Sequence, residues 1–327
     1  MLQFIMLVGV SGSGKSTLAR SLAGYPDITL LSSDELRGEL LGDESDQSNP
    51  AMIFAEMKKR AVAALNSGLS VVYDATNLSS RKRRATLTEI RHALKDKAES
   101  IKFKCIVVLA PERECIERQS KRDRKVPAAV IHRQICSFEV PYYGEGWDEI
   151  ELRHTSLDYP YCEDDSFDAI FPRALEMDQH NSHHSLTVGQ HCAQTLWEAH
   201  HRMGNCFTLE YSTMVREAAM WHDLGKCFTQ TFTDMRGNPS DEAHYYNHHN
   251  YSAYLYLCAF HAQFLHPQCL WTALLIQWHM QPFFTDNLEA WARKRNIVGE
   301  VIGGNDSESH LFLDALQLLH EADLAAR

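Results

Sequence analysis

The stretch that decides the fold of the first half is Gly9–Arg20, GVSGSGKSTLAR. Gly9 to Ser16 fit the pattern G-x-x-x-x-G-K-[ST]. The apolar run before them, FIMLVGV, reads as a buried parallel strand, and Lys15–Ala23 reads as the helix behind the loop. That strand–loop–helix context is what the pattern requires. In such a loop successive backbone N–H groups wrap phosphate oxygens, and the helix N-terminus adds its positive end. Gly9, Gly12, Ser13, Gly14, Lys15, Ser16 and Thr17 are therefore the candidate nucleotide-binding residues. Lys15 is expected to reach the β- and γ-phosphates and Ser16 a Mg²⁺ ion.

Strand and helix signals alternate through the rest of this half. ITLLS (Ile28–Ser32), LSVVYDAT, KFKCIVVLA and GWDEIEL read as strands. Helices are expected over AMIFAEMKKRAVAALNSG, Ser79–Lys97, Pro111–Arg122 and Ala128–Phe138. This rhythm predicts an α/β domain over residues 1–152, an open parallel sheet with helices on both faces. The pattern breaks between Arg153 and Met177, read as a linker. Residues 178–327 lack glycine-punctuated strands and carry helical periodicity, which predicts an all-α second domain.

Composition separates the halves further. Fifteen of the 18 histidines follow residue 172. Residues 173–327 hold 9 Lys+Arg against 17 Asp+Glu, within a chain of net charge −11. That balance argues against a broad electrostatic grip on duplex nucleic acid and leaves room for a local basic cleft. The nine cysteines form no C-x-x-C pair and read as reduced intracellular thiols. The opening apolar run reads as a strand and not a signal peptide, and no run approaches a membrane span. A cytoplasmic protein without a membrane partner is expected.

Three further elements bear on the first site. Asp34, in LLSSDELRGELLG, falls at the end of the second strand, where ligands meet an open α/β sheet. A carboxylate there can take a proton from an attacking hydroxyl; the competing reading is a cap on a helix starting at Glu35. Arg37, one turn on, can hold a second phosphate on the acceptor. Arg118 and Arg122, in CIERQSKRDRKVP, share one helical face and can close over a triphosphate, or form a solvated face.

GVSGSGKST, SSDELR, VVYDATN and SKRDRKVPAAVI, in this order, resemble the polynucleotide 5′-kinase family of P-loop phosphotransferases over roughly residues 1–150. The resemblance implies ATP and Mg²⁺ as cofactors and Asp34 as general base for a 5′-hydroxyl. It implies Arg37 on the acceptor's neighbouring phosphate, and Arg118 and Arg122 on the phosphates of ATP. It also implies that Asp74 orders the site through water or Mg²⁺. Arg81–Arg84 (RKRR) either tracks a nucleic-acid backbone or is a solvated helix face.

In the second half, WHDLGK sets His222 beside Asp223. Neighbours on a helix point about 100° apart, so both reach one metal only near a bend or between helices. His191, His248, His279 and Asp323 are the other candidate ligands. Imidazoles and carboxylates without thiolate suit Zn, Mn, Fe, Ni or Co. The order His…His-Asp…His…His…Asp resembles the HD phosphohydrolase superfamily over roughly residues 175–327. That resemblance implies one metal on His191, His222, Asp223 and Asp323, with His248 and His279 serving a second; His249 is the alternative to His248. It implies His184, with His183 as the weaker choice, on a substrate phosphate. Lys226 is either a phosphate ligand or a helix-end lysine.

The pairing resembles bacterial proteins that heal broken RNA. It implies 5′-hydroxyl phosphorylation together with hydrolysis of 2′,3′-cyclic phosphate or 2′-phosphate ends. The partners would be RNA ends, with DNA ends as the alternative, and an RNA ligase. The rival readings are a small-molecule or nucleoside kinase joined to an HD nucleotidase, and a nucleotide-gated regulator.

Overall fold

A computed structural model describes residues 1–155, 166–181, 185–203, 208–259, 266–297 and 306–326. They divide into two compact units, one of Met1–Ile131 with Glu145–Thr155 and the other of His132–Gly144 with Ser156–Arg327.

The first unit is built on five strands, β1 (Leu2–Val8), β2 (Ile28–Ser32), β3 (Ser70–Asp74), β4 (Ile101–Leu109) and β5 (Glu149–His154). Every pairing is parallel, and the order is β2-β3-β1-β4-β5. The run of apolar residues in β1 is explained by burial on both faces. Ile5 and Leu7 pack with Ala19, Val72, Ile106 and Val108 on one face. Phe4, on the other, meets the rings of Tyr73 and Phe103, each with centroids 5.7 Å away. Helices α1 (Lys15–Leu22), α2 (Ser33–Leu41), α3 (Pro50–Asn66), α4 (Ser80–Leu94) and α5 (Glu112–Ser120) follow the strands, and α6 (Ala128–Cys136) spans the division between units. The expected parallel α/β sheet is present.

One basic residue of the RKRR run is structural. Arg83 is buried, and its guanidinium meets Glu145 at 2.7 and 2.6 Å. It also donates to the carbonyls of Asn77 and Leu78. Arg81 and Lys82 remain exposed.

The second unit is mostly helical: α7 (Phe167–Glu176), α8 (Val188–Met203), α9 (Leu209–Trp221), α10 (Lys226–Thr229), α11 (His248–Ala259), α12 (His266–Trp278), α13 (Leu288–Arg295) and α14 (Asp306–Ala325). It is not all-α. An antiparallel hairpin of β6 (Gln230–Thr233) and β7 (Pro239–Tyr245) interrupts it. The Asp234 carboxylate accepts from the backbone N–H groups of Arg236 and Asn238, and Gly237 takes φ 87°, which closes the turn. Part of the expected linker is also helical. Ser166 caps α7 through Ala169 N–H, and Ile170 and Ala174 are buried in spite of Pro172.

Residues 132–144, read from the sequence as part of the first domain, belong by contacts to the second unit. Gln277 on α12 donates to Phe138 O and Asn250 Oδ1 and accepts from Val140 N–H. Asn250 on α11 donates to Cys136 O. The segment is thereby stitched to two helices, two residues from His248 and two from His279. Among the described residues, no helix is long and apolar enough to cross a membrane.

Candidate functional site

The loop after β1 has the geometry its glycines predict. Gly12 and Gly14 sit at φ 88° and 95°, and Gly14 is the N-cap of α1. A Cβ on Gly12 would lie 2.4 Å from the backbone oxygen of Cys115, so no side chain fits. Lys15 is buried and donates to Val10 O at 2.6 Å across the loop. Burial pushes its ammonium pKa down, against the pull of the Asp74 carboxylate. Asp74 ends β3, accepts from the Ser16 side chain, and is pushed up by burial while Lys15 opposes the shift. Ser13 is fully buried, whereas Thr17 is exposed on α1.

The strand order β2-β3-β1 explains why Asp34, Asp74 and Lys15 share one end of the sheet. Asp34 lies in the first turn of α2 and is not its cap. Ser32 is, accepting from Glu35 N–H at 3.5 Å. Asp34 Oδ1 accepts from Arg37 Nη1 at 2.6 Å, and Oδ2 lies 3.2 Å from Arg124 Nη1. Sequence reasoning missed Arg124, which stands beyond the end of α5 in the run that supplied Arg118 and Arg122.

Arg118 and Arg122 do not share a helical face, because α5 stops at Ser120. Arg122 is exposed in the following bend. Arg118 grips the back of the phosphate loop. It donates to Thr155 Oγ1 at 2.8 Å, Thr155 O at 2.5 Å and Gly12 O at 3.3 Å, and pairs with Glu114 at 2.7 Å. Thr155 Oγ1 in turn donates to Ser13 O at 2.6 Å.

In the second unit all six candidate ligands converge. The His222–Asp223 doublet works because α9 ends at Trp221, leaving both residues in a turn. His191 comes from α8, His248 from the start of α11, His279 from the end of α12 and Asp323 from α14. His191 Nε2 is 3.2 Å from His222 Nε2, 3.1 Å from Asp323 Oδ1 and 3.3 Å from Asp223 Oδ2. Asp223 Oδ1 is 3.1 Å from His248 Nε2 and 3.7 Å from His279 Nε2. Two triads, His191/His222/Asp323 and His222/Asp223/His279, each have donor atoms within 4.8 Å of one another. Ligands about 2.0–2.2 Å from one ion stand roughly 3.0–3.5 Å apart, so these spacings fit a divalent cation.

The imidazoles are oriented for that task. Nδ1 of His191, His222, His248 and His279 faces the backbone oxygen of Ala326, Ala219, Tyr245 and Ile276 at 3.2, 2.8, 2.8 and 2.7 Å. A carbonyl accepts only from a protonated Nδ1, which leaves the Nε2 lone pair for a metal. Of the two neighbours left open, His248 has its Nε2 3.1 Å from Asp223 Oδ1.

Electrostatics differ across the cluster. Burial alone lowers His191, but the Asp223 and Asp323 carboxylates outweigh it and raise its pKa to about 9. His222 and His279 are pushed down by burial, each also beside another imidazole. Asp223 and Asp323 are held low, against their burial, by Lys226 and His222 around the first and His191 around the second.

Lys226 is buried and donates to Asp223 Oδ2 and Gln179 Oε1, both at 2.7 Å. Gln179, fully buried, was not foreseen; a lone glutamine before the helices carries no sequence signal. His184 and His183 lie outside the described residues.

A family profile described as an AAA domain matches residues 4–141. That match and the parallel sheet make the N-terminal unit a P-loop, kinase-like α/β domain. No curated protein matches the chain. Among solved structures it is similar to a chain of the Pnkp1/Rnl/Hen1 RNA repair complex, at 24% identity and TM-score 0.35, over 42% of this chain and 43% of that one. A fungal RNA kinase gives 19% identity and TM-score 0.36, over 50% of this chain and 41% of that one. A gluconokinase from Sinorhizobium meliloti gives 20% and 0.32, over 46% of this chain and 81% of its own. The chain thus spans under half the length of the RNA repair chain.

Proposed function

We propose that this chain heals RNA ends with two separate sites. The first unit transfers the γ-phosphoryl of ATP to a 5′-hydroxyl. The second hydrolyses a 2′,3′-cyclic phosphate or the 2′-phosphate formed from it. The observation that carries the reading is Asp34. It is a half-exposed carboxylate on the same sheet end as Lys15, flanked by two arginines, in a chain that also gathers four imidazoles and two carboxylates.

Phosphoryl transfer is served by positioning and charge. Lys15 and the loop amides hold the triphosphate, and Ser16 with Asp74 would serve Mg²⁺. Asp34 takes the hydroxyl proton, Arg37 holds a phosphate of the acceptor, and Arg122 reaches the triphosphate from the bend after α5. Arg118 acts here by fixing the loop carbonyls. In the second unit His191, His222, Asp223, His248, His279 and Asp323 would hold one or two ions of Zn, Mn, Fe, Ni or Co. Such an ion lowers the pKa of bound water and polarises a phosphoryl oxygen. Lys226 keeps Asp223 ionised, and His184 would touch the substrate phosphate.

A 5′-phosphate with free 3′ hydroxyls is what an RNA ligase consumes, so a ligase is the expected partner in the reaction sequence. The net charge of −11 favours a second reading, a nucleoside kinase joined to a nucleotidase. Incubation with a 5′-hydroxyl, 2′,3′-cyclic-phosphate oligoribonucleotide, with both ends analysed, tests the proposal. Conversion of both ends is expected. A preference for free nucleosides and mononucleotides over the oligonucleotide would replace it with the second reading.

A further inference from the structure

We infer that Arg124 is a gate on Asp34, opened by a phosphate on the acceptor. The inference rests on the reading of Asp34 as general base.

Both oxygens of the Asp34 carboxylate face a guanidinium, Oδ1 at 2.6 Å from Arg37 and Oδ2 at 3.2 Å from Arg124. An oxygen committed to an N–H is a poor acceptor for the proton of an incoming hydroxyl. Each guanidinium also covers one side of the carboxylate, so release of one arginine opens the approach of the hydroxyl to a free lone pair.

The two are not equally held. Arg37 is buried at 6% exposure, is also 3.4 Å from Ser33 Oγ, and sits one turn from Asp34 on the same helix. Its Nε is buried and has no hydrogen-bond partner among the described residues. Arg37 is thus the fixed partner, and it is the residue assigned above to the acceptor's phosphate. Arg124 has a side chain 36% exposed, and its second ion pair, to Glu44, is long at 3.8 Å. Exposed pairs of that kind contribute little stability. Arg124 is the exchangeable partner.

An acceptor phosphate held by Arg37 competes for Arg124 with more charge and a better fork geometry than one carboxylate oxygen offers. Once Arg124 moves to the phosphate, Oδ2 is left to the hydroxyl. The 5′ oxygen then bonds to the γ-phosphorus of ATP, the bond from that phosphorus to the β-phosphate oxygen breaks, ADP leaves, and the hydroxyl proton passes to Asp34. An acceptor without a neighbouring phosphate leaves the gate closed. The site thus selects nucleotides with a phosphate or phosphodiester next to the attacked end through turnover as well as affinity.

The test compares a 5′-hydroxyl dinucleotide with the matching free nucleoside as acceptors for the full-length protein, its Arg124→Ala variant and its Arg124→Lys variant. In the wild type the dinucleotide should have the higher kcat. Arg124→Ala should raise kcat on the nucleoside, raise KM for the dinucleotide, and shrink the kcat preference by about tenfold or more. Arg124→Lys, which keeps the charge and lacks the fork, should restore the preference only in part. An unchanged preference, or an equal fall in kcat on both acceptors, overturns the gate while leaving the kinase reading intact. Calorimetric titration with a nucleoside 3′-phosphate provides a readout apart from turnover. Binding weakened about tenfold in Arg124→Ala supports the contact, and equal binding overturns it. Wild-type protein inactive on both acceptors would instead defeat the kinase reading, and the titration would still decide the role of Arg124.

Discussion

At Asp34 a single proton separates catalysis from binding. Its neighbours, Arg37 and Arg124, keep their guanidinium charges whether the side chain is an acid or an amide, so anion binding survives the change. Asp34→Asn is therefore expected to lower kcat for phosphoryl transfer by about 10²–10⁴-fold, with a much smaller change in acceptor KM. Steady-state kinetics with a 5′-hydroxyl oligonucleotide check this, and a change confined to KM would make Asp34 a binding residue. Arg83 makes the opposite kind of claim. Its pairing with Glu145 is fully buried, and Trp147 Nε1 donates to the same carboxylate at 2.9 Å. Arg83→Met strands that carboxylate and should cost about 3–5 kcal/mol of stability. Urea unfolding measures it, and restoring much of the loss with Glu145→Gln would show that the stranded charge is the cause.

Among the elements, the parallel strands and the helices behind them were readable because each is long, apolar on a clear period, or punctuated by glycine. ITLLS matches β2 to the residue. The hairpin of β6 and β7 was missed because most of its residues are polar and only partly buried, so no apolar alternation marks it. The α7 helix was hidden by the prolines and acids around it, though Ser166 and the buried Ile170 and Ala174 carry a cap and a period. Side-chain identity announced the six metal-ligand candidates, but not how they are aimed. His191 is turned by the carbonyl of Ala326, far away in sequence, and the other three imidazoles by the carbonyl three residues before each, and Gly225 lets the doublet reach α11. A Cβ there would lie 2.3 Å from His248 O. This arrangement also predicts a proton count. His191 is held protonated up to about pH 9 by its two carboxylates, whereas a metal needs Nε2 bare. Cation uptake by metal-free protein at pH 7.5–8 should thus release close to one proton, and affinity should rise as pH increases toward 9. Calorimetry in buffers of different ionisation enthalpy reads the proton directly; no release would mean that His191 is neutral or is no ligand.

For the whole molecule, the division of contacts sets what can be cut and what can be switched off alone. Residues 132–144 hold α11 and α12 through Gln277 and Asn250. A fragment beginning at residue 153 should consequently fold poorly and bind metal weakly, whereas one beginning at 128 should do both well; circular dichroism and metal titration of the two fragments compare them. The two chemistries, in turn, use residues from different units. Lys15 reaches across the loop in Met1–Ile131, and Asp223 lies in Ser156–Arg327. Removing the lysine takes away the cation that meets the β- and γ-phosphates. Removing Asp223 takes away a carboxylate that stands within 3.5 Å of three of the imidazoles. Lys15→Ala should therefore lose phosphorylation of 5′-hydroxyl ends and keep hydrolysis of 2′,3′-cyclic phosphate. Asp223→Ala should lose hydrolysis and metal binding and keep the kinase reaction. Assaying both ends of one oligoribonucleotide with each variant, after confirming the fold by circular dichroism, decides the matter. Loss of both reactions in either folded variant would show a single shared site.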